Sequence, residues 1–287
     1  MGDRAEPPPQ GAERPMLRGL AALVRAAHVE PSVAVTAAAT ALAVGAGLGG
    51  RAVRVALAVG TGQLSIGWSN DWLDRHRDAA SRRLDKPLVR DEIGARSVVI
   101  AALVALVVCV GFSLALGPAA AAAHLTGVAA GWWYNLRAKH TVYSVAPWAI
   151  AFGLLPAAVT LTTPLERWPA WWVVAAGALL GAGAHIANAL PDLEDDRRTG
   201  VEGLPHQLGR RGSLIAATTC VGVGVALVAL GPGPRPAGIA IGILGAVGLV
   251  WVSYASWRGR DRLAFRGVVV LLLLLTVGLV TSGTALF

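Results

Sequence analysis

Hydrophobic and polar positions alternate here on a coarse scale. Long apolar stretches are separated by short polar loops. The apolar stretches run at 33–50, 53–70, 97–116, 118–134, 143–162, 169–190, 213–230, 237–255 and 267–286. Each is close to the roughly 20 residues a helix needs to cross a bilayer. The join at Gly117-Pro118 divides an apolar run too long for one span, and proline suits the first turn of a helix. No strand-period alternation of the outer-membrane barrel kind appears. The pattern therefore predicts an all-α integral membrane protein of about nine transmembrane helices. Ahead of them, 1–14 is polar and proline-rich and reads as a disordered cytoplasmic tail without the apolar core of a signal peptide. Residues 16–28 set Leu17, Leu20, Leu23 and Val24 among Arg18 and Arg25, the composition of a short amphipathic surface helix. The chain divides into 1–32, the tail and surface helix, and 33–287, one membrane domain.

Composition agrees. The chain is 55% hydrophobic and 15% charged, with mean hydropathy +0.58. A soluble domain carries about 25% charged residues, so this chain has too little charge to cover a soluble surface. Abundant alanine and glycine suit close helix packing in lipid. The net charge of +8 would point to nucleic acid in a soluble protein. Here the cations lie in loops, where they set topology and meet anionic lipid, so no nucleic-acid partner is expected. With the N-terminus inside, all of the 25 cations except Arg51, Arg54, Arg167 and Arg235 fall on the cytoplasmic side. That asymmetry predicts a multi-pass protein of the cell (inner) membrane with its C-terminus outside. Cys109 and Cys220 lie within apolar segments and read as packing residues. Most tryptophans fall near helix ends, as interfacial anchors do.

Candidate chemistry sits at the inner ends of two segments. The second ends in Asn70-Asp71-Trp72-Leu73-Asp74-Arg75-His76-Arg77-Asp78. Asn70, Asp74 and Asp78 are spaced i, i+4, i+8 and share a helix face, with Asp71 beside that stripe. The sixth ends in Asn188-Ala189-Leu190-Pro191-Asp192-Leu193-Glu194-Asp195-Asp196, where Asn188, Asp192 and Asp196 repeat the spacing. Carboxylates this close repel unless a cation joins them. Hard divalent ions such as Mg²⁺ prefer carboxylate oxygens and often pair them with substrate phosphates. Solvated loop acids balancing loop arginines are the plainer reading. The repeated spacing at two membrane boundaries weighs against it.

At these stretches the chain resembles the UbiA superfamily of intramembrane prenyltransferases. Asn70, Asp71, Asp74 and Asp78 meet the family's Asn-Asp-x-x-Asp-x-x-x-Asp motif in full, and Asp85-Lys86-Pro87-Leu88 is similar to its basic-proline ending. Asp192, Asp195 and Asp196, followed by Gly200, Leu204-Pro205 and Gly209, meet the second motif less regularly. Tyr134-Asn135-Leu136-Arg137-Ala138-Lys139 looks like the tyrosine-to-lysine stretch after the fourth helix. The resemblance implies helices around a central cavity with cytosolic acidic caps, an isoprenyl diphosphate donor, Mg²⁺ as cofactor and release of pyrophosphate. It makes Asn70, Asp71, Asp74, Asp78, Asp192, Asp195 and Asp196 the metal-binding set. Asp71, Asp74, Asp192 and Asp196 are the acids expected to carry catalysis.

An allylic diphosphate ionises when its leaving group is stabilised, which metal ions held by both clusters would supply. Arg82, Arg83, Lys86, Arg137 and Lys139 are the cations able to reach its oxygens, Lys139 and Arg82 being favoured. Tyr134 is placed at the diphosphate or facing the developing cation, and Asn70 and Asn188 beside the substrate. His185 reads as a packed, hydrogen-bonded histidine of the sixth segment. The acceptor stays open among an aromatic ring, a quinone precursor, a porphyrin-like ring and a sugar or glycerol phosphate. Two other functions stay open: a cyclase acting on the donor alone, and a membrane cation transporter.

Overall fold

A computed structural model describes residues 13–281 apart from 199, 232 and 234. The expected tail at 1–14 lies almost wholly outside the described residues, as does the end of the last apolar stretch. Among the described residues the chain is helical throughout, without strands. The helices are α1 (Glu13–Ala26), α2 (Val29–Gly45), α3 (Arg51–Ala80), α4 (Ala95–Leu114), α5 (Pro118–Leu136) and α6 (Ala146–Thr160). They continue as α7 (Trp171–Ala189), α8 (Leu193–Arg198), α9 (Leu204–Leu230), α10 (Pro236–Trp257) and α11 (Asp261–Thr281).

Each predicted apolar stretch falls on one of the long helices. By length and apolarity six elements qualify to cross a bilayer, seven when α1 and α2, bent by 65°, count as one span. α3 and α5 fall short of that composition for a reason that bears on function. α3 carries Gln63, Asn70 and Asp71, and α5 carries His124, Tyr134 and Asn135. α1 is more than a surface helix: Ala22 and Ala26 are buried, and Trp68 Nε1 of α3 donates to the Leu23 carbonyl at 2.8 Å.

The long helices close into a ring. α2 packs on α3, α3 on α4 and α5, α5 on α6, and α6 on α7. From there α7 packs on α9, α9 on α10, α10 on α11, and α11 returns to α2. Gly181, Ala182, Gly183 and Ala184 of α7 are all buried, so neighbouring backbones approach closely without large side chains between them. Two breaks shape one end of the ring. Pro191 supplies no backbone N–H, so α7 ends, Leu190–Asp192 forms a 3-10 turn and α8 restarts the helix. Gly209 sits at φ 65°, ψ 175°, a conformation open to glycine, and divides the first turns of α9 from its long apolar part.

Polar loops gather by end. Arg77 of α3 reaches Asp196 of α8, Arg83 reaches Asp192, and Arg210 pairs with Asp261. The α3–α4, α7–α9 and α10–α11 connections thus meet at one end. At the other, Arg51 donates to the Thr162 carbonyl (3.4 Å) and Arg54 to the Ala115 carbonyl (3.0 Å).

Candidate active site

A cavity of about 380 Å³ opens at the end where the two acidic stretches meet. α3 delivers Asn70, Asp74 and Asp78 to it on one face, as a 3.6-residue period requires. The far wall brings Asn188, Asp192 and Asp196 to the same mouth, from the end of α7, the 3-10 turn and α8. Lys86, Tyr134 and Lys139 line it as well. Residues some 120 positions apart in the chain therefore face one space.

The first stretch is embedded in a network. Asn135 of α5 donates to the Ile66 carbonyl (2.9 Å) and Ser69 Oγ (2.8 Å), and its Oδ1 accepts from Asn70 (3.1 Å). Asn70 Nδ2 also donates to Asp74 Oδ2 at 3.2 Å. Asn70 thus spends its amide nitrogen inside the protein. Lys139 Nζ donates to Asp74 Oδ1, and Arg77 Nη2 donates to Asp74 Oδ2 at 2.9 Å. Burial pushes the Lys139 ammonium below the usual lysine range, and the Asp74 charge opposes that shift. The loop carrying Lys139 is held by Gly203, where a Cβ would sit 2.9 Å from the Lys139 carbonyl oxygen and from Ser144 Oγ. Ser144 Oγ in turn accepts from Leu204 N at 3.0 Å and bonds His185 Nε2 at 3.0 Å.

The second stretch is more open. The Asp192 and Asp196 side chains are 34% and 23% exposed, against 8% for Asp74. Arg83 Nη1 lies 3.8 Å from Asp192, and His206 Nε2 lies 3.3 Å from Asp196. The Asp195 side chain lies outside the described residues.

Three expected residues lie elsewhere. Asp71 does not line the cavity. It is 1% exposed, bound to Lys86 Nζ at 2.5 Å and His28 Nε2 at 2.8 Å, so it positions two residues that do line it. A helix rotates about 100° per residue, which turns Asp71 off the Asn70 face. Arg82 is exposed, and its left-handed backbone (φ 51°) turns the chain so that Arg83 faces the mouth instead. Arg137 is exposed at the end of α5 and lines an outer groove with Trp132 and Trp133. Sequence reasoning missed Arg77, His28 and Asn135. Arg77 carried a signal at i+3 from Asp74, and Asn135 lay inside the Tyr134-to-Lys139 stretch without a role of its own.

Deeper in, the walls turn aromatic. Tyr134 meets Trp148 (6.0 Å) and His185 (5.4 Å) edge-on, and Trp148 stacks on Phe152 at 6.0 Å. His185 is buried, as a packed histidine is expected to be. The donor set at the mouth fits a hard divalent cation: carboxylates from two sides and an amide oxygen. Among the described residues no three acidic or histidine side chains already stand close enough to hold an ion. Arg77, Lys139 and Arg83 stand between them.

The profile of the UbiA prenyltransferase family matches residues 32–275. This chain belongs to that family. Among curated proteins, this UbiA-family chain is 30% identical to the bacteriochlorophyll synthase 33 kDa chain of Cereibacter sphaeroides over 176 residues, 56% of this chain and 55% of that one. It is 26% identical to the 4-hydroxybenzoate octaprenyltransferase of Shewanella pealeana over 204 residues, 67% and 68% of the two chains. The match thus spans about half to two thirds of those relatives. Solved structures share the fold. A UbiA homolog from Archaeoglobus fulgidus bound to GPP and Mg²⁺ superposes with TM-score 0.67 at 20% identity, covering 91% of this chain and 99% of that one. The apo UbiA homolog from Aeropyrum pernix K1 gives 0.72 at 19% identity, covering 86% and 97%.

Proposed function

We propose that this protein transfers an isoprenyl group from an isoprenyl diphosphate to an aromatic or lipid-like acceptor, dependent on Mg²⁺, with release of pyrophosphate. One observation carries the reading: two acidic stretches distant in sequence face the same mouth of a cavity whose interior is aromatic and apolar. That polarity matches a donor with a charged head and a hydrocarbon tail. The relatives named as a bacteriochlorophyll synthase and a 4-hydroxybenzoate octaprenyltransferase support it. The positive-inside pattern supports placing the mouth on the cytoplasmic face of a cell membrane, with nine spans, N-terminus in and C-terminus out.

Asn70, Asp74, Asp78, Asp192 and Asp196 would hold Mg²⁺, which would supply positive charge to offset that of the diphosphate leaving group. Lys139, Lys86 and Arg83 bind the phosphate oxygens directly. The donor's C1–O bond breaks, and its electron pair leaves with the diphosphate. The allylic cation left behind faces Tyr134 and Trp148, whose ring faces stabilise positive charge. Apolar walls such as Val59, Ile66 and Leu155 exclude water, so the cation is kept for the acceptor. The acceptor's carbon or oxygen bonds to C1, and a ring carbon or hydroxyl gives up its proton to the released pyrophosphate.

The test uses purified protein in nanodiscs with geranyl, farnesyl and geranylgeranyl diphosphates, with and without Mg²⁺, and a membrane extract as acceptor source. Mg²⁺-dependent pyrophosphate release with a mass-shifted acceptor is the expected result. Release with only a donor-derived hydrocarbon would make it a cyclase. No release from any donor would overturn the reading.

A further inference from the structure

Arg77 holds a position that the reaction scheme above leaves unused. Its guanidinium lies 2.9 Å from Asp74 Oδ2 and 3.5 Å from Asp196 Oδ1, joining the two acidic stretches across the mouth. The side chain is 22% exposed and lines the cavity. A divalent ion shared by Asp74 and Asp196 must take the space this guanidinium fills. We infer that Arg77 is a built-in placeholder cation: it holds the two carboxylate walls together, weakens binding of a divalent metal by itself, and yields to metal arriving with a diphosphate. The inference rests on the metal reading of the two stretches.

The physical argument concerns charge balance. Two carboxylate walls with no cation between them repel, and other cations stand around them. Lys139 serves Asp74, and His206 and Arg83 serve Asp196 and Asp192. Arg77 contacts a carboxylate of each wall directly. A planar guanidinium can bridge two carboxylates, whereas a lysine ammonium is a point charge on a shorter reach. When metal displaces it, the same fork lies at the mouth, where diphosphate oxygens provide a new bidentate partner. Metal without diphosphate offers Arg77 no such partner, so the exchange is unfavourable until both arrive.

The experiment measures Mn²⁺ affinity of the full chain in nanodiscs by electron paramagnetic resonance, with no diphosphate present. Arg77→Gln should bind Mn²⁺ about tenfold more tightly than wild type, the order of a lost charged hydrogen bond. Arg77→Lys, which keeps the charge without the span, should fall between them and covers the case in which the glutamine variant fails to fold. Arg75→Gln removes the same charge one turn-face away, where Arg75 donates to the Trp72 carbonyl at 2.7 Å, and should leave Mn²⁺ affinity unchanged. Equal tightening in both glutamine variants means bulk electrostatics and overturns the inference, as does unchanged or weaker binding in Arg77→Gln and Arg77→Lys. Adding Asp74→Asn to Arg77→Gln should abolish the tight site. Binding that survives it places the metal elsewhere and overturns the metal reading itself.

Discussion

The two acidic stretches share a nominal spacing but are built differently. Asn70, Asp74 and Asp78 ride on one unbroken 30-residue helix, with Asp74 and Asp78 buried. Asn188, Asp192 and Asp196 are divided among a helix end, a 3-10 turn and a six-residue helix, and the two acids are partly open to solvent. Around the first, Asn135 holds Asn70, and Lys139 and Arg77 hold Asp74. The first stretch is a rigid wall whose geometry is set by helix period and packing. The second sits on a broken helix, met by Arg77 and Arg83 from the first wall and by His206 from α9. The same carboxylates therefore bear on stability in one wall and mainly on ligand binding in the other.

The largest expected effect tests that division. Asp74→Ala should lower Mg²⁺-dependent turnover about 10²–10³-fold and also destabilise the fold. It leaves the buried Lys139 without its partner, a loss of about 3–5 kcal/mol for a broken buried pair. Asp192→Ala should lose comparable turnover with a smaller fall in melting temperature than Asp74→Ala, because its side chain is a third exposed where Asp74 is buried. Its pair with Arg83 is long and a third exposed, worth about 0–1 kcal/mol. Thermal melts in nanodiscs beside the kinetics separate the two. Equal destabilisation would erase the distinction between the walls.

Next in size is Asn135→Ala. It removes two donated bonds and one accepted bond within the rigid wall, at a cost of about 1–3 kcal/mol. Turnover should fall less than in Asp74→Ala, since Asn135 holds a candidate ligand without being one. The smallest effects distinguish adjacent arginines. Arg83→Gln should raise the KM for the diphosphate by roughly tenfold, the scale of a charged hydrogen bond. Arg82→Gln should change it by no more than about twofold, as an exposed charge does. The reverse order would return Arg82 to the mouth.

How far the sequence could be read follows the same line. The helical face of Asn70, Asp74 and Asp78 was legible because a helix period is local, and so was the order of apolar stretches. The pairing of Asp71 with Lys86 and His28 was not. It depends on a loop that folds back from beyond α3 and on the start of α2, which no spacing encodes. The order of Arg82 and Arg83 was not legible either, because a sequence does not show which residue of a loop adopts φ 51°. The count of spans was blurred by function itself: α3 and α5 carry the polar residues that line the cavity, and those lower their apolarity. In the second stretch Pro191 marked a break, yet Asp192 and Asp196 still reach the mouth, because the 3-10 turn and α8 restore by tertiary contact what the helix gives up.

The most direct test of the central claim, that both walls act on one diphosphate, is pyrophosphate release by Asp74→Ala and Asp192→Ala in nanodiscs. It is read with and without Mg²⁺ beside a melting curve that confirms folding. The account predicts that each folded variant loses Mg²⁺-dependent release from every donor that the wild type uses. Release at the wild-type rate by either folded variant would contradict it.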